Sequence, residues 1–316
     1  MNILDLFCGC GGFSLGFQNA GHNIIAAFDN WTPALNCYKN NFSHPVYDCD
    51  LSNTDLVTEK LNKLSLTKID MIIGGPPCQD FSHAGLRSEG TRASLTTAFA
   101  NIVSNIKPLW FVMENVDRAL KSSAYLEAKS IFKVAGYGLT EMVLDASKCG
   151  VPQKRKRLFV IGHLDANDNF LMDSLLKNQS HTAMTIRDYL GNKLGVDHYY
   201  RHPRNYNRRA IFSIDEPSPT VRGVNRPIPK GYKGHIGDTT ELNELLRPLT
   251  IQERLLLQTF PESFVLTGSK TEVEQLVGNA VPVNLAKYVA NAINDHLSTK
   301  QQVKLSNISK SVAYHE

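Results

Sequence analysis

The 316-residue sequence predicts a doubly wound α/β domain with a second, smaller and irregular domain. Three observations predict it. Short apolar runs alternate with amphipathic stretches through the first 165 residues, the rhythm of βαβ units. A glycine-rich turn follows the first apolar run directly, where such a sheet enters its first helix. The rhythm then fails from about residue 165 to residue 243, where Pro203, Pro217, Pro219, Pro227 and Pro229 mark a turn-rich stretch.

Taken in order, residues 3–7, 24–28, 69–73, 109–113, 139–144 and 158–161 are near-continuous apolar runs and read as buried parallel strands. Between them, residues 13–20, 33–42, 56–64, 95–106 and 124–135 have the length and spacing of crossover helices. After the irregular stretch, Thr250 ahead of Glu253 and the apolar run 255–257 reads as a capped helix. Residues 284–297 form a last amphipathic helix that returns to the first domain, and the polar stretch 298–316 is expected to be loose. The expected division is residues 1–165 with 270–316 for the first domain and 166–269 for the second.

A chain of 35.2 kDa with 42% hydrophobic and 20% charged residues buries a substantial core and excludes wholesale disorder. Mean hydropathy is -0.23 and no apolar run approaches the roughly 20 residues of a membrane span. With no basic leader, a cytoplasmic protein is expected. Cys8, Cys10, Cys37, Cys49, Cys78 and Cys149 form no CxxC pair, so no metal site or disulfide framework is expected. The net charge of +4 is unevenly spread: residues 151–250 carry 16 Lys/Arg against 10 Asp/Glu, while residues 1–150 carry 12 against 14. Residues 201–233 hold eight basic residues against Asp215 and Glu216 alone, interleaved with Tyr206 and Tyr232 just past Tyr199 and Tyr200, the footprint of a phosphate-binding surface.

Four motifs carry chemistry. Asp5-Leu6-Phe7-Cys8-Gly9-Cys10-Gly11-Gly12 lets a ligand approach the backbone closely, and a nucleotide-like cofactor is expected there. Ser14 stands where a dinucleotide fingerprint has its third glycine, which disfavours a pyrophosphate cofactor. Asp29, 18 residues past Gly11, ends the second strand, where an acid can accept both ribose hydroxyls; Asp50 is placed to accept from an adenine amino group. Singly such acids are more often solvated or capping, but together they describe an adenosine site. Gly74-Gly75-Pro76-Pro77-Cys78-Gln79 sets a cysteine on a rigid turn at the carboxyl edge of the sheet, and two prolines and two glycines argue against a core-packing role. Glu114-Asn115-Val116 ends a strand at the same edge, where the glutamate reads as a proton carrier. Gln153, Arg155 and Arg157 alternate at strand period and share one expected face, free to meet phosphates or hold the glutamate.

In this order, with Gly278-Asn279-x-Val281 near the end, the motifs resemble those of the DNA (cytosine-5) methyltransferases, over nearly the whole chain. The resemblance implies a Rossmann-like S-adenosylmethionine domain with a small target-recognition domain, of the bacterial restriction-modification type, protecting host DNA from a cognate endonuclease. It implies Cys78 as nucleophile with Glu114, Arg155 and Arg157 at the cytosine. The cofactor S-adenosylmethionine would be lined by Phe7, Gly9, Gly11, Gly12, Asp29, Asn30 or Trp31, Asp50, Leu51, Pro77, Leu95, Asn279 and Val281. Double-stranded DNA would be met by Ser82, His83, Arg87 and Arg92 of a closing loop, and by Gln153, Arg201, Arg204, Arg208, Arg209, Thr220, Val221, Arg222, Asn225 and Arg226. Thr220-Val221 resembles the family's recognition signature, which makes Arg222 and Arg226 the candidates for guanine contacts in a G- and C-rich site.

The chemistry points the same way. Carbon 5 of cytosine is a poor nucleophile until a thiolate adds at carbon 6, and Glu114 eases that addition by protonating or hydrogen-bonding ring nitrogen 3. The carbon is inaccessible inside a duplex, so the base must be flipped out. A tRNA cytosine-5 methyltransferase of the same fold is the rival within the family. A non-catalytic DNA-binding relative is disfavoured by the intact Cys78, Glu114, Arg155 and Arg157, and a nicotinamide dehydrogenase by Ser14.

Overall fold

The computed structural model describes residues 1–64, 68–77, 94–203, 205 and 207–312, with side chains as far as residue 299. The first half runs β1 (Asn2–Leu6), α1 (Gly12–Gln18), β2 (Asn23–Asp29), α2 (Thr32–Lys39), β3 (Val46–Asp48), α3 (Thr54–Lys63), β4 (Met71–Gly74), α4 (Leu95–Ile106), β5 (Trp110–Val116), α5 (Ser123–Val134) and β6 (Tyr137–Asp145). It continues through β7 (Gln153–Lys154), β8 (Lys156–Leu164), α6 (Met172–Lys177), α7 (Ile186–Leu190), β9 (His198–Tyr200), β10 (Ile211–Ser213) and β11 (Ser218–Pro219). It closes with α8 (Ile251–Leu257), α9 (Lys270–Asn279) and α10 (Val283–Val312).

Local signals set the helix starts. Asn53, Ser94 and Ser122 accept from the first-turn amides of α3, α4 and α5, and Thr250 with Glu253 and Ser269 with Glu272 form capping boxes on α8 and α9. α10 continues through Val312, past residue 297 where the sequence pattern ends it.

Seven strands form one sheet in the order β3-β2-β1-β4-β5-β8-β6. The order reverses between β1 and β4, and ligands bind beside such a switch point at the carboxyl edge. β8 is antiparallel to both β5 and β6, a correction to the all-parallel reading. The physical reason is reach: residues 146–155 between β6 and β8 are too few for the helical crossover that parallel strands require.

One sheet face packs under α3, α4 and α5, with Val57, Phe99 and Phe132 buried. The other packs under α1 and α10, with Phe13, Phe17, Val289 and Ile293 buried. Each such side chain contributes roughly 1.5–3 kcal/mol by leaving water. A third cluster joins Cys10, Ala34 and Cys37 of the first half to Tyr199, Phe212, Val221, Leu255, Phe260 and Val277, so the irregular region is packed onto the sheet domain. Among the described residues, no helix is long and apolar enough to cross a membrane.

Candidate active site

The turn after β1 is built to be tight and open on one side. Phe7, Gly9 and Gly11 all have left-handed backbone, with φ of 57°, 55° and 93°. For Phe7 that is a strained conformation of the kind held at functional sites. A Cβ on Gly9 would meet nothing within 4 Å, so the loop presents an unfilled cradle there. Gly11 and Gly12 do something else. A Cβ on Gly11 would strike the rings of Phe42 and Tyr38, one on Gly12 would lie 2.1 Å from the Val281 carbonyl, and the Gly11 amide is spent on Cys8 O. These two glycines allow close packing on the side where a Cβ would stand.

Asp29 organises the turn from the end of β2. Its Oδ2 accepts from the Gly9 amide at 2.9 Å, and its Oδ1 from the Asn30 and Trp31 amides at 2.8 and 2.9 Å. Burial raises its proton affinity and these three amides oppose the rise. A carboxylate has about four lone-pair sites, so these amides leave it able to accept further. Trp31 is half-buried and Asn30 exposed. Leu51 is buried after β3, and the exposed Asp50 holds Ser52 N and Oγ on its Oδ1 at 3.0 and 2.7 Å. Exposed Pro77 follows β4, Leu95 opens α4, Asn279 is exposed at the end of α9, and Val281 is buried against α1. The open Gly9 cradle and the part-filled Asp29 carboxylate suit an adenosine-bearing group.

The second half of the site is on β5. Glu114 is buried, its Oε2 lies 3.3 Å from where a Cβ of Gly75 would stand, and its Oε1 has no hydrogen-bond partner. That Oε1 lies 2.9 Å from Arg157 Nε, an ion pair without hydrogen-bond alignment. Asn115 Nδ2 donates to Pro76 O at 3.2 Å, which ties the strand end to the turn before Cys78. Cys78, Ser82, His83, Arg87, Arg92, Arg204 and Tyr206 lie outside the described residues.

Arg155 is elsewhere. The chain leaves strand geometry at Arg155, between β7 and β8, so it does not share a face with Arg157. Its guanidinium is fully buried and donates to Val221 O and Gly278 O at 3.3 Å and to Ala280 O at 3.1 Å. Burial and the neighbouring Arg157 pull its pKa down to about 9. Of the two arginines expected at the glutamate, Arg157 makes the ion pair with Glu114, while Arg155 feels its charge and spends its hydrogen bonds on the three carbonyls.

Gln153, expected to reach DNA, is also buried. Its Oε1 accepts from Val221 N at 2.9 Å and its Nε2 donates to Gln258 Oε1 at 2.8 Å. β11 pairs with β7, Thr220 Oγ1 donates to Lys154 O at 2.8 Å, and Arg254, ion-paired with Glu274, donates to Arg222 O. The segment from Ser218 to Arg222 is therefore held by its backbone, and Val221 is buried. Sequence reasoning missed Gln258 and Arg254, because a lone glutamine and arginine within an ordinary amphipathic helix carry no signal.

Folding consumes much of the basic block. Arg201 donates to Thr220 O at 2.7 Å, Arg222 donates to His202 O, and Asn225 to Leu249 O at 2.8 Å. Arg209 pairs with Glu216 at 2.5 Å and lies 4.3 Å over the Phe212 ring. Tyr199, Tyr200 and Tyr232 are buried core residues, not a stacking surface. Arg208, Arg226, Lys230 and Lys233 remain exposed.

The family model for C-5 cytosine-specific DNA methylase matches residues 1–295. The chain is 58% identical over 296 residues to the type II methyltransferase M.HindV of Haemophilus influenzae, covering 93% of this chain and 96% of that protein. It is 52% identical over 307 residues to the type II methyltransferase M.HgiDI of Herpetosiphon aurantiacus, covering 97% and 98%. Among solved structures, the S. pombe Dnmt2 methyltransferase superposes with a TM-score of 0.69 at 19% identity, covering 93% of this chain and 98% of that one. A putative DNA modification methyltransferase of an E. coli prophage gives 0.69 at 21%, covering 94% and 99%. A Rossmann-like sheet, an acid-organised glycine turn and a buried glutamate beside a proline turn thus meet a family match over nearly the full length: the chain belongs to the C-5 cytosine-specific DNA methylase family.

Proposed function

We propose that the chain methylates carbon 5 of a cytosine flipped out of a short, G- and C-rich double-stranded site, through a covalent Cys78 adduct. On this reading it protects bacterial DNA in the cytoplasm from a cognate endonuclease, as the type II names of its relatives suggest. Residues 1–165 with 270–316 form the catalytic unit and residues 166–269 the recognition unit. The observation that carries the reading is Glu114: a buried carboxylate with an unbonded oxygen, gripped by Arg157, whose neighbour Asn115 braces the turn leading to Cys78.

S-adenosylmethionine supplies an electrophilic methyl group. Phe7, Gly9, Gly11, Gly12, Asp29, Asn30 or Trp31, Asp50, Leu51, Pro77, Leu95, Asn279 and Val281 would hold it at the carboxyl edge, where Asp29 would accept from the ribose. The Cys78 thiolate adds to carbon 6 of the base while Glu114 hydrogen-bonds ring nitrogen 3, where negative charge develops. Arg157 keeps Glu114 oriented, and Arg155 and Gln153 act as positioning residues that tie the recognition segment to the same strand pair.

DNA carrying 5-fluorocytosine tests this, because fluorine blocks the elimination that frees the enzyme. The expected result is an adduct on the Cys78 peptide by mass spectrometry. Cys78→Ser is expected to lose the adduct and methyl transfer while binding S-adenosylmethionine as before, and turnover by that variant would refute the mechanism.

A further inference from the structure

Asp5 has no part in the chemistry above, yet it is a fully buried acid on β1. Its Oδ2 accepts from Ser14 Oγ at 2.6 Å and, among the described residues, its Oδ1 has no hydrogen-bond partner. Ser14 Oγ accepts in turn from Tyr38 Oη at 2.6 Å, and Tyr38 Oη lies 2.6 Å from His44 Nε2. His44 is only half-buried, so three consecutive bonds join the surface to a carboxyl with no exposed area. The path runs directly under the cofactor turn, where a Cβ on Gly11 would strike the ring of Tyr38. Ser14, the residue that spoils the dinucleotide fingerprint, is its middle link.

We propose that this path carries a proton between solvent and Asp5, and that the charge on Asp5 selects the sulfonium cofactor over its neutral thioether product. The proposal rests on the cofactor reading given above. In the inward step His44 Nδ1 takes a proton from water and Nε2–H passes its proton to Tyr38 Oη. Tyr38 passes its own to Ser14 Oγ, and Ser14 passes its own to Asp5 Oδ2. The net change is one proton moved from solvent to Asp5, with His44 neutral at the start and at the end.

A carboxylate buried this deeply, with Ser14 alone bonding it, is costly to ionise, and a cation bound nearby offsets that cost where a neutral ligand does not. The titratable groups that act on Asp5 are Asp29 on β2, Cys8 after β1 and Tyr38 on α2. Burial pushes Asp5 up to about 7 against the bond from Ser14, so its charge is open to a ligand near neutral pH. Burial holds His44 down at about 4, so it relays protons without storing one.

Calorimetry on the full chain, in two buffers of different ionisation enthalpy, counts the protons exchanged on binding. S-adenosylmethionine is expected to release close to one proton near pH 6, with affinity rising roughly fivefold from about pH 6 to about pH 7. S-adenosylhomocysteine is expected to release none and to bind equally across that range. Asp5→Asn should abolish the difference. Tyr38→Phe, which breaks the path but keeps Asp5, should leave the proton count unchanged and slow the binding response to a pH jump by about tenfold or more. Equal proton release for the two ligands overturns the charge selection while leaving the cofactor reading intact. A Tyr38→Phe response as fast as wild type overturns the path, and failure of both ligands to bind wild type overturns the cofactor reading as well.

Discussion

Two arginines two residues apart are expected to fail in different ways when removed. Arg157 Nε lies 2.9 Å from Glu114 Oε1, with side-chain exposures of 15% and 11%. At an effective dielectric near 20 that separation corresponds to about 6 kcal/mol of attraction before desolvation, and breaking a buried pair costs roughly 3–5 kcal/mol in practice. If most of that is lost where Glu114 meets the base, Arg157→Ala slows the chemical step by about 100- to 1,000-fold. Arg155 instead satisfies three buried carbonyls, Val221, Gly278 and Ala280. Each orphaned acceptor costs about 1–3 kcal/mol and the losses do not add fully, so Arg155→Met is expected to lose roughly 3–5 kcal/mol of stability. Lysine at 155 restores little, because an ammonium cannot reproduce the planar fork. Single-turnover methylation and urea unfolding, run on both variants, separate the effects. The reasoning fails if Arg157→Ala turns over within about threefold of wild type, or if Arg155→Met keeps its stability and loses the chemistry.

Asp5 has a native pKa of about 7 against an ordinary 3.8, so folding takes up a proton between those values. Its contribution to stability is full below about pH 4 and is lost as pH rises to about 7, on the order of 4 kcal/mol. Asp5→Asn should remove that loss and gain most over wild type at pH 8, and equal pH slopes in urea unfolding would contradict this. Asp29→Ala is expected to weaken S-adenosylmethionine binding by about 1–3 kcal/mol or more, since it removes a ribose acceptor and frees the three amides that shape the turn; unchanged calorimetric affinity would move the ribose contact elsewhere. Arg226→Ala should relax discrimination at one guanine position, whereas Arg208→Ala should weaken all sequences alike and lower the salt slope by about one. Binding to single-base variants at two salt concentrations distinguishes these, and a uniform loss in both variants would defeat the assignment.

Much of the fold was legible because its signals are local. The residue range 95–106 read as a helix is α4 as observed, and the Thr250–Glu253 pairing read as a cap is a capping box. Apolar runs located six strands of the main sheet, since a strand buried on both faces writes its burial into consecutive residues. β3 is three half-exposed or exposed residues and left only Val46 as a trace. The direction of β8 was misread because an apolar run has no polarity; the short link from β6 decides it. The glycine turn, Asp29 and Glu114 were likewise visible as residue types at a sheet edge.

What the sequence alone determined, then, is the family and the order of the sheet domain's main strands and crossover helices, which depend on neighbours within a few residues or on motif order. What only the tertiary structure decided is which partner each polar group takes. Arg155 and Arg157 look alike in the chain, yet the break between β7 and β8 sends one to the carbonyls under the recognition segment and the other to Glu114. Arg201, Arg209 and Arg222, alike as basic residues in the chain, each take a separate partner in the fold, Thr220, Glu216 and His202. How many of a basic side chain's donors remain for a phosphate is settled by contacts between residues distant in sequence.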